Sequence, residues 1–258
     1  MENNTPHKEE QDILFGRNAV TEALSSGRPV EHLLVEQGSG GYGKLISRCR
    51  ERGIPVKEVS QKKLEGMYGG AGHQGIALVC AVKDYASVDD ILQSAQEKGE
   101  PPFIVIADEI MDPHNLGAII RSAYALGAHG IIIPKRRSAG LTSTVYKTSA
   151  GALSHIPVAR VSNLVSCLEE LKKKNIWCYC ADMDGQSYCS VNFSGGVALI
   201  IGSEGEGVGR LIREHCDITV SLPMANQYDS LNASVAAGIL MQEIYRQRLG
   251  LKALNPKG

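Results

Sequence analysis

Apolar residues along this chain fall into two kinds of run, and their alternation predicts the architecture. Short unbroken runs occur at Phe103-Ile-Val-Ile-Ala107, Ile131-Ile-Ile-Pro134 and Val197-Ala-Leu-Ile-Ile201. Runs of that length without polar interruption suit strands covered on both faces, as in a parallel sheet. Between them lie longer segments in which apolar residues recur at helical spacing. Strands are expected at 103–108, 130–134, 157–161, 176–181, 197–202 and 217–222, with helices near 115–127, 142–153, 163–174, 207–215 and 231–249. Such an alternation implies an α/β fold with a mainly parallel sheet and helices on both faces.

The amino-terminal part repeats the theme on a smaller scale. A helix is expected over Phe15–Leu24, a strand over His32–Val35, a helix over Lys44–Arg52 and strands over Val56–Val59 and Gly75–Val82. Together they make a compact α/β unit of about seventy residues. Tyr85 to Pro102, with Asp89-Asp90, Glu97-Lys-Gly-Glu100 and a Pro-Pro stop, reads as a linker holding a helical turn or more around Ile91-Leu92. The expected division is 12–83 for the first domain, 84–101 for the linker and 102–258 for the second domain.

Composition narrows the class. With 258 residues the chain can bury a proper core, and a formal net charge of −1 means that it is no polycation. The charge is uneven: residues 8–83 carry 11 Lys+Arg against 9 Asp+Glu, residues 84–100 carry 1 against 5, and residues 101–258 carry 15 against 13. Arg17, Lys44, Arg48, Arg50, Arg52 and Lys62-Lys63 give the first unit the basic surface that a phosphate-binding module needs, although a solvated helix face has the same look. Seven cysteines without framework spacing argue for reduced thiols. Cys178 and Cys180 share a strand face near Cys189, but no partner follows at zinc-ligand spacing, so packing is the expected role and no metal is called for. Met1 to Gln11 lacks the apolar core of a signal peptide and nothing later approaches a membrane span; a cytoplasmic protein is expected.

Four stretches carry candidate chemistry. Asp112-Pro-His-Asn-Leu-Gly-Ala-Ile-Ile-Arg121 follows a strand and opens a helix; Asn115 is a good helix cap, Gly117 permits a close approach, and Arg121, a little under two turns further on, is expected not far from the cap's own face and within reach of the same cleft. A permanent cation beside a polar cap suits phosphate or ribose chemistry. Gly202-Ser-Glu-Gly-Glu-Gly-Val-Gly209 is a turn that brings backbone groups up to a ligand, while Glu204 and Glu206 would repel a phosphate. A cofactor with hydroxyls, an amine and positive charge fits that turn, and S-adenosylmethionine is one; a plain strand-to-helix turn capped by Ser203 is the structural alternative. Leu222-Pro-Met224 then ends a strand, and Ser230-Leu-Asn-Ala-Ser234 starts a long helix capped by Ser230 or Asn232, with Leu222 and Leu231 placed to sandwich a purine. The fourth stretch, Gly38-Ser-Gly-Gly-Tyr-Gly43 with Glu58 about twenty residues on, matches a dinucleotide fingerprint. Its unit ends one strand later, too soon to form a dinucleotide crevice, so a glycine loop is the better reading.

Asn115-Leu-Gly-Ala-Ile-Ile-Arg121, Gly202-Ser-Glu-Gly-Glu-Gly207 and Leu222-Pro-Met224 with Ser230-Leu-Asn-Ala-Ser-Val-Ala236 resemble the three ordered motifs of the SpoU branch of the SPOUT RNA methyltransferases, over nearly all of 103–248. Asp112-Pro-His-Asn115, Ile131-Ile-Ile-Pro-Lys135 and Lys147-Thr-Ser-Ala-Gly-Ala152 resemble the subgroup that methylates a guanosine ribose in 23S ribosomal RNA. Phe15-Gly-Arg-Asn-Ala-Val20 and His73-Gln-Gly-Ile76 are similar to that subgroup's RNA-binding domain. One departure is Ala233, where relatives often carry Val.

The resemblance implies a deep trefoil knot at the carboxyl end, a homodimer with composite sites, an RNA substrate and S-adenosylmethionine as cofactor. Arg121, Asn115, Glu204 and Asn232 are then the catalytic candidates, and Gly202, Leu222, Met224, Ser230, Leu231 and Thr148 the cofactor contacts. A guanidinium is a very poor proton acceptor, so chemistry favours Arg121 as orienting group and charge stabiliser, with Glu204 as the candidate proton acceptor or relay. Within the family a transfer RNA substrate is the alternative. Outside that class stand a non-catalytic RNA-binding module and a nicotinamide-dependent oxidoreductase built on Gly38–Gly43.

Overall fold

The computed structural model describes residues 13–70, 72–225 and 230–251 and divides into two compact units. The polar stretch Met1–Gln11 and residues 226–229, which belong to the third motif's stretch, lie outside the described residues.

The first unit comprises the chain up to Asp84 together with Gly140–Thr144. Its elements are β1 (Ile13–Phe15), α1 (Arg17–Ser25), β2 (Val30–Glu36), α2 (Gly43–Glu51), β3 (Val56–Val59), α3 (Gln61–Tyr68) and β4 (Ile76–Cys80). The sheet order is β1-β4-β2-β3, with β4 antiparallel to both neighbours and β2 parallel to β3. Val20, Leu24, Leu45 and Cys49 of α1 and α2 pack with Leu33 and Leu78 on one face. Leu64 of α3 packs with Leu34, Ala77 and Val79 on the other. Strand residues two apart point the same way, which is why Leu33 and Leu34 belong to different clusters. Two elements differ from expectation. The segment read as one helix from Phe15 begins as β1, because Gly16 at φ 84° ends it as strand and turns the chain into α1. α3 was not anticipated, since Gln61-Lys-Lys-Leu-Glu carries a single buried residue, Leu64, and hence almost no periodic signal.

The second unit holds α4 (Val88–Lys98), β5 (Phe103–Ala107), α5 (Pro113–Ala125), β6 (Gly130–Pro134), α6 (Ser143–Thr148) from Val145 onward, β7 (Val158–Val161), α7 (Leu164–Lys173), β8 (Ile176–Ser187), β9 (Gly196–Ile201), α8 (Arg210–Glu214), β10 (Ile218–Ser221) and α9 (Ala233–Arg248). Residues 88–98, assigned by composition to a linker, form a full helix. Ser87 and Asp90 close a reciprocal capping box at its start, and Ile91 and Ala95 are buried.

All five strand pairs of the six-stranded sheet β10-β8-β9-β5-β6-β7 are parallel. Ile104, Ile106, Ile132, Cys178, Cys180 and Ile200 face one core, shared with Ile91 of α4 and Leu164, Leu168 and Leu171 of α7. The alternate residues, among them Phe103, Val105, Ile131 and Leu199, face the other side, where α5 and α9 pack together. The α/β class with helices on both faces of a parallel sheet therefore holds.

The winding order creates a crevice. From β5 the chain proceeds outward through β6 and β7, then returns so that β9 lands on the other side of β5. At such a reversal the connections leave the carboxyl ends of neighbouring strands in opposite directions and a cleft opens between them. β5 and β9 are those neighbours here, with Phe103 to Ala107 in register with Val197 to Ile201.

Candidate active site

The loops that flank this crevice carry the first two motifs. Past β5, Asp112 caps α5 by accepting the His114 N–H at 3.0 Å, and Pro113 occupies the first helical position, where a missing N–H costs nothing. The cap is thus Asp112 and not Asn115. Asn115, one turn in, is free to point its amide across the crevice.

Past β9, Ser203 and Gly207 exchange backbone hydrogen bonds of 3.0 Å in both directions, closing a tight turn with Gly205 and Gly207 at positive φ. Asp108, buried at the end of β5, accepts the Gly209 N–H at 3.0 Å and so ties the far side of the turn to the neighbouring strand. Burial raises the Asp108 pKa above its ordinary value, and the Gly209 N–H opposes the shift.

The third motif starts α9. Asn232 is its cap: Oδ1 accepts the N–H groups of Ser234 at 3.0 Å and Val235 at 3.3 Å, and the Ser234 hydroxyl at 2.6 Å. With the carbonyl oxygen committed to the helix, the amide nitrogen must face the crevice. There Nδ2 donates to Asn115 Oδ1 at 2.9 Å and to Glu204 Oε1, while Asn115 Nδ2 donates to the same Glu204 oxygen at 2.9 Å. Three residues separated by 89 and 28 positions thus form one closed polar cluster. Helix capping does the orienting, so the geometry follows from local rules once the crevice exists.

Beside the cluster lies a cavity of about 520 Å³. Its lining includes Gly202 to Gly207, Leu222, Met224, Ser230 and Leu231, together with Ala181, Asp182 and Met183 of β8 and Val220, Ala233, Ala236 and Leu240. That volume lies within the usual range for a cofactor site, and the mixture of apolar walls with a few polar groups is equally usual. Glu204, Glu206 and Asp182 give it a carboxylate-rich rim suited to a cationic ligand, while Arg213 pairs with Asp182 at 3.0 Å.

Two residues singled out in the sequence lie elsewhere. Thr148 is absent from the lining; its hydroxyl donates to Pro113 O at 3.4 Å and packs where a Gly117 β-carbon would stand, 1.8 Å from Thr148 Oγ1. The close approach anticipated at Gly117 is therefore that of α6. Arg121 is exposed on α5 and makes no side-chain bond to the cluster among the described residues. Six helical residues amount to about 600° of rotation, which leaves it far round the helix from Asn115. Conversely, sequence reading passed over Asp182 and Met183, because nothing in a linear pattern says that the end of β8 lies beside β9. Gly38 and Gly41, at positive φ, form a loop before α2 in a sheet with only one parallel pair, and Glu58 stands exposed on β3.

No group of three or more His, Cys, Asp or Glu residues that could hold a metal occurs among the described residues. No helix among them is long and apolar enough to cross a membrane. None of the seven cysteines is held in a disulfide.

Residues 102–242 match the SpoU rRNA Methylase family model, and residues 13–86 match that for RNA 2′-O ribose methyltransferase substrate binding. The chain is 47% identical over 253 residues to YacO of Bacillus subtilis (strain 168), assigned to the TrmH family of tRNA/rRNA methyltransferases; the match spans 97% of this chain and 99% of that protein. Among solved structures it is similar to the SpoU methyltransferase AviRb of Streptomyces viridochromogenes in complex with its cofactor AdoMet, with a TM-score of 0.59 and 26% identity over 92% of this chain and 90% of that one. It is also similar to the A. aeolicus TrmH/SpoU tRNA modifying enzyme, with a TM-score of 0.52 and 26% identity over 59% of this chain and 79% of that one. The chain therefore belongs to the SpoU rRNA methylase family of S-adenosylmethionine-dependent RNA 2′-O-ribose methyltransferases.

Proposed function

We propose that this chain methylates the ribose 2′-hydroxyl of a guanosine in 23S ribosomal RNA, acting as a cytoplasmic homodimer. The observation that carries the reading is the Asn115–Glu204–Asn232 cluster at the rim of the cavity formed by the second and third motifs. S-adenosylmethionine, when bound, supplies a methyl group on a cationic sulfonium, and the carboxylate-rich rim, the backbone groups from Gly202 to Gly207 and the apolar pair Leu222 and Leu231 suit that molecule. Gly202, Leu222, Met224, Ser230 and Leu231 are its proposed contacts, and Thr148 supports them from α6 by packing under α5.

In the reaction the ribose hydroxyl loses its proton. Glu204 is the carboxylate placed to accept or relay it, and the two asparagine amides fix its orientation by converging on one oxygen. The negative charge that develops on the ribose oxygen needs a cation that is already in place. Arg121 is the proposed one, donated to the site of the partner subunit, because it faces away from its own cluster. The dimer is supported by α9, where Val235 and Ile239 are 49% and 37% exposed and border a hollow shared with Ser122, the residue after Arg121.

In this reading residues 12–83 grip the RNA and residues 102–258 perform the transfer. The choice of ribosomal over transfer RNA is supported by the motifs Asp112-Pro-His-Asn115 and Lys147-Thr-Ser-Ala-Gly-Ala152. The similarity to the A. aeolicus tRNA modifying enzyme covers 59% of this chain, whereas that to AviRb covers 92%. Seven cysteines without framework spacing and an RNA substrate support a cytoplasmic location.

Mapping ribose methylation on total RNA from cells with and without the gene tests the assignment. The expected difference is one guanosine mark in 23S ribosomal RNA. A mark lost from transfer RNA alone would replace the substrate and leave the chemistry standing.

A further inference from the structure

We propose that Arg137 binds a phosphate of the RNA substrate next to the catalytic cluster, and that Glu109 holds it in reserve until RNA arrives. The proposal rests on the reading of Asn115, Glu204 and Asn232 as that cluster.

Glu109 lies in the turn after β5, three residues before the α5 cap, and Arg137 lies in the loop after β6. Because β5 and β6 are parallel neighbours, both residues leave the same edge of the sheet as the glycine turn after β9. Arg137 Nη1 donates to Glu109 Oε1 at 3.0 Å, and the Ala139 N–H donates to Ile110 O at 2.8 Å, so the two loops are joined by side chain and by backbone. Glu206, in the turn that carries Glu204, also attracts the guanidinium.

Both partners have an unusual backbone. Glu109 has φ 54° and Arg137 has φ 55°, a region that side chains with a β-carbon rarely adopt. An ion pair whose side chains are 73% and 35% exposed contributes too little to hold two such conformations for stability alone. Strained residues that persist at the rim of a site point to use there. Lys135 and Arg136 precede Arg137, and all three are exposed, which puts three cations on one loop. A ligand that reaches this rim with phosphates offers Arg137 a better partner than Glu109 does, because a phosphate accepts the planar fork at two oxygens and gives up condensed counterions on binding.

The test uses the full chain, a mixed-sequence single-stranded RNA oligonucleotide for binding and a 23S ribosomal RNA transcript for turnover. Arg137→Ala is expected to weaken oligonucleotide binding about three- to tenfold near 0.15 M salt and to lower the log–log salt slope by about 0.7, the share of one phosphate on a single strand. KM for the transcript should rise in step, with kcat within about twofold and affinity for S-adenosylhomocysteine unchanged. Arg137→Lys should recover part of the affinity, since it keeps the charge and loses the fork. Glu109→Gln should act in the opposite direction and tighten RNA binding about two- to threefold. A merely structural ion pair predicts that Glu109→Gln and Arg137→Ala weaken binding alike, and that result would overturn the proposal. So would Arg137→Ala with wild-type RNA affinity and slope, or a loss confined to S-adenosylhomocysteine, which would assign the arginine to the carboxylate of the cofactor. Wild-type turnover is the separate control: its absence refutes the catalytic reading, whereas the binding arm still decides the role of Arg137.

Discussion

Gly202 offers the sharpest test of how the cofactor turn works. A β-carbon at this position would stand 2.0 Å from the Gly207 carbonyl carbon and 2.1 Å from both the Gly207 oxygen and the Val208 nitrogen. Ordinary contacts begin at 3.4 Å, so even alanine forces the two sides of the turn apart by more than an ångström. The atoms it meets are backbone and cannot rotate away. Both Ser203–Gly207 hydrogen bonds would be lost, at about 1 kcal/mol each, and overpacking adds about 1–3 kcal/mol. A total of about 3–5 kcal/mol corresponds to a Tm lowered by roughly 6–20 °C for a domain of this size. Displacement of the turn also removes part of the cavity lining, and about 1.4 kcal/mol of lost contact is a tenfold weaker cofactor complex. Differential scanning calorimetry and titration with S-adenosylhomocysteine would measure both effects. The structure further expects Gly202→Ala and Gly202→Val to behave almost alike, because the first β-carbon does the damage. If glycine were needed only to let a ligand approach, stability would be unchanged and the valine variant would be clearly worse than the alanine one. A Gly202→Ala protein with wild-type Tm and wild-type affinity would refute the reasoning.

Three other substitutions probe the remaining parts. Arg121→Ala should cut methyl transfer about a hundredfold or more while S-adenosylhomocysteine affinity stays the same, with only partial recovery in Arg121→Lys; mixing Arg121→Ala with Glu204→Ala subunits should restore activity, and no recovery would place both residues in one chain's site. Asn232→Asp keeps an oxygen to cap α9 but exchanges the donor that faces Glu204 for a second carboxylate, so Tm near neutral pH should fall by only a few degrees while transfer is lost; retained transfer would remove the amide from the mechanism. Asp108 has its pKa raised by burial, so its contribution to stability is present in full below the ordinary carboxylate value near 3.8 and is lost as pH rises through the raised value. Across that weakly acidic range the Tm of the wild type should fall relative to that of Asp108→Asn, and parallel Tm curves would contradict the shift.

The α/β class and most elements of the second unit were legible in the order of the residues, because strands covered on both faces need unbroken apolar runs and amphipathic helices need a period of 3.6. β6 and β3 fall at the expected residues, and Gly202, Leu222, Met224, Ser230 and Leu231 could be picked out because turns and helix starts have their own local chemistry. Elements held by few buried residues were less legible: α3 has Leu64 alone, and α4, expected only as a helical turn or more around Ile91-Leu92, had its full length masked by a charged and Pro-flanked composition. The geometry of the candidate site was decided at a different scale. That β9 lies between β8 and β5 brings Glu204 within 2.9 Å of Asn115, 89 residues away, and adds Asp182 and Met183 to the cavity. The cap of α5 belongs to Asp112, which releases Asn115 for the cluster, and Arg121 turns outward, though both stand in one short motif. Periodicity records which face of an element is buried and capping residues record where it starts, since both are interactions among near neighbours. Strand order and the crevice it opens depend on contacts between residues far apart in the chain, and no local pattern encodes those.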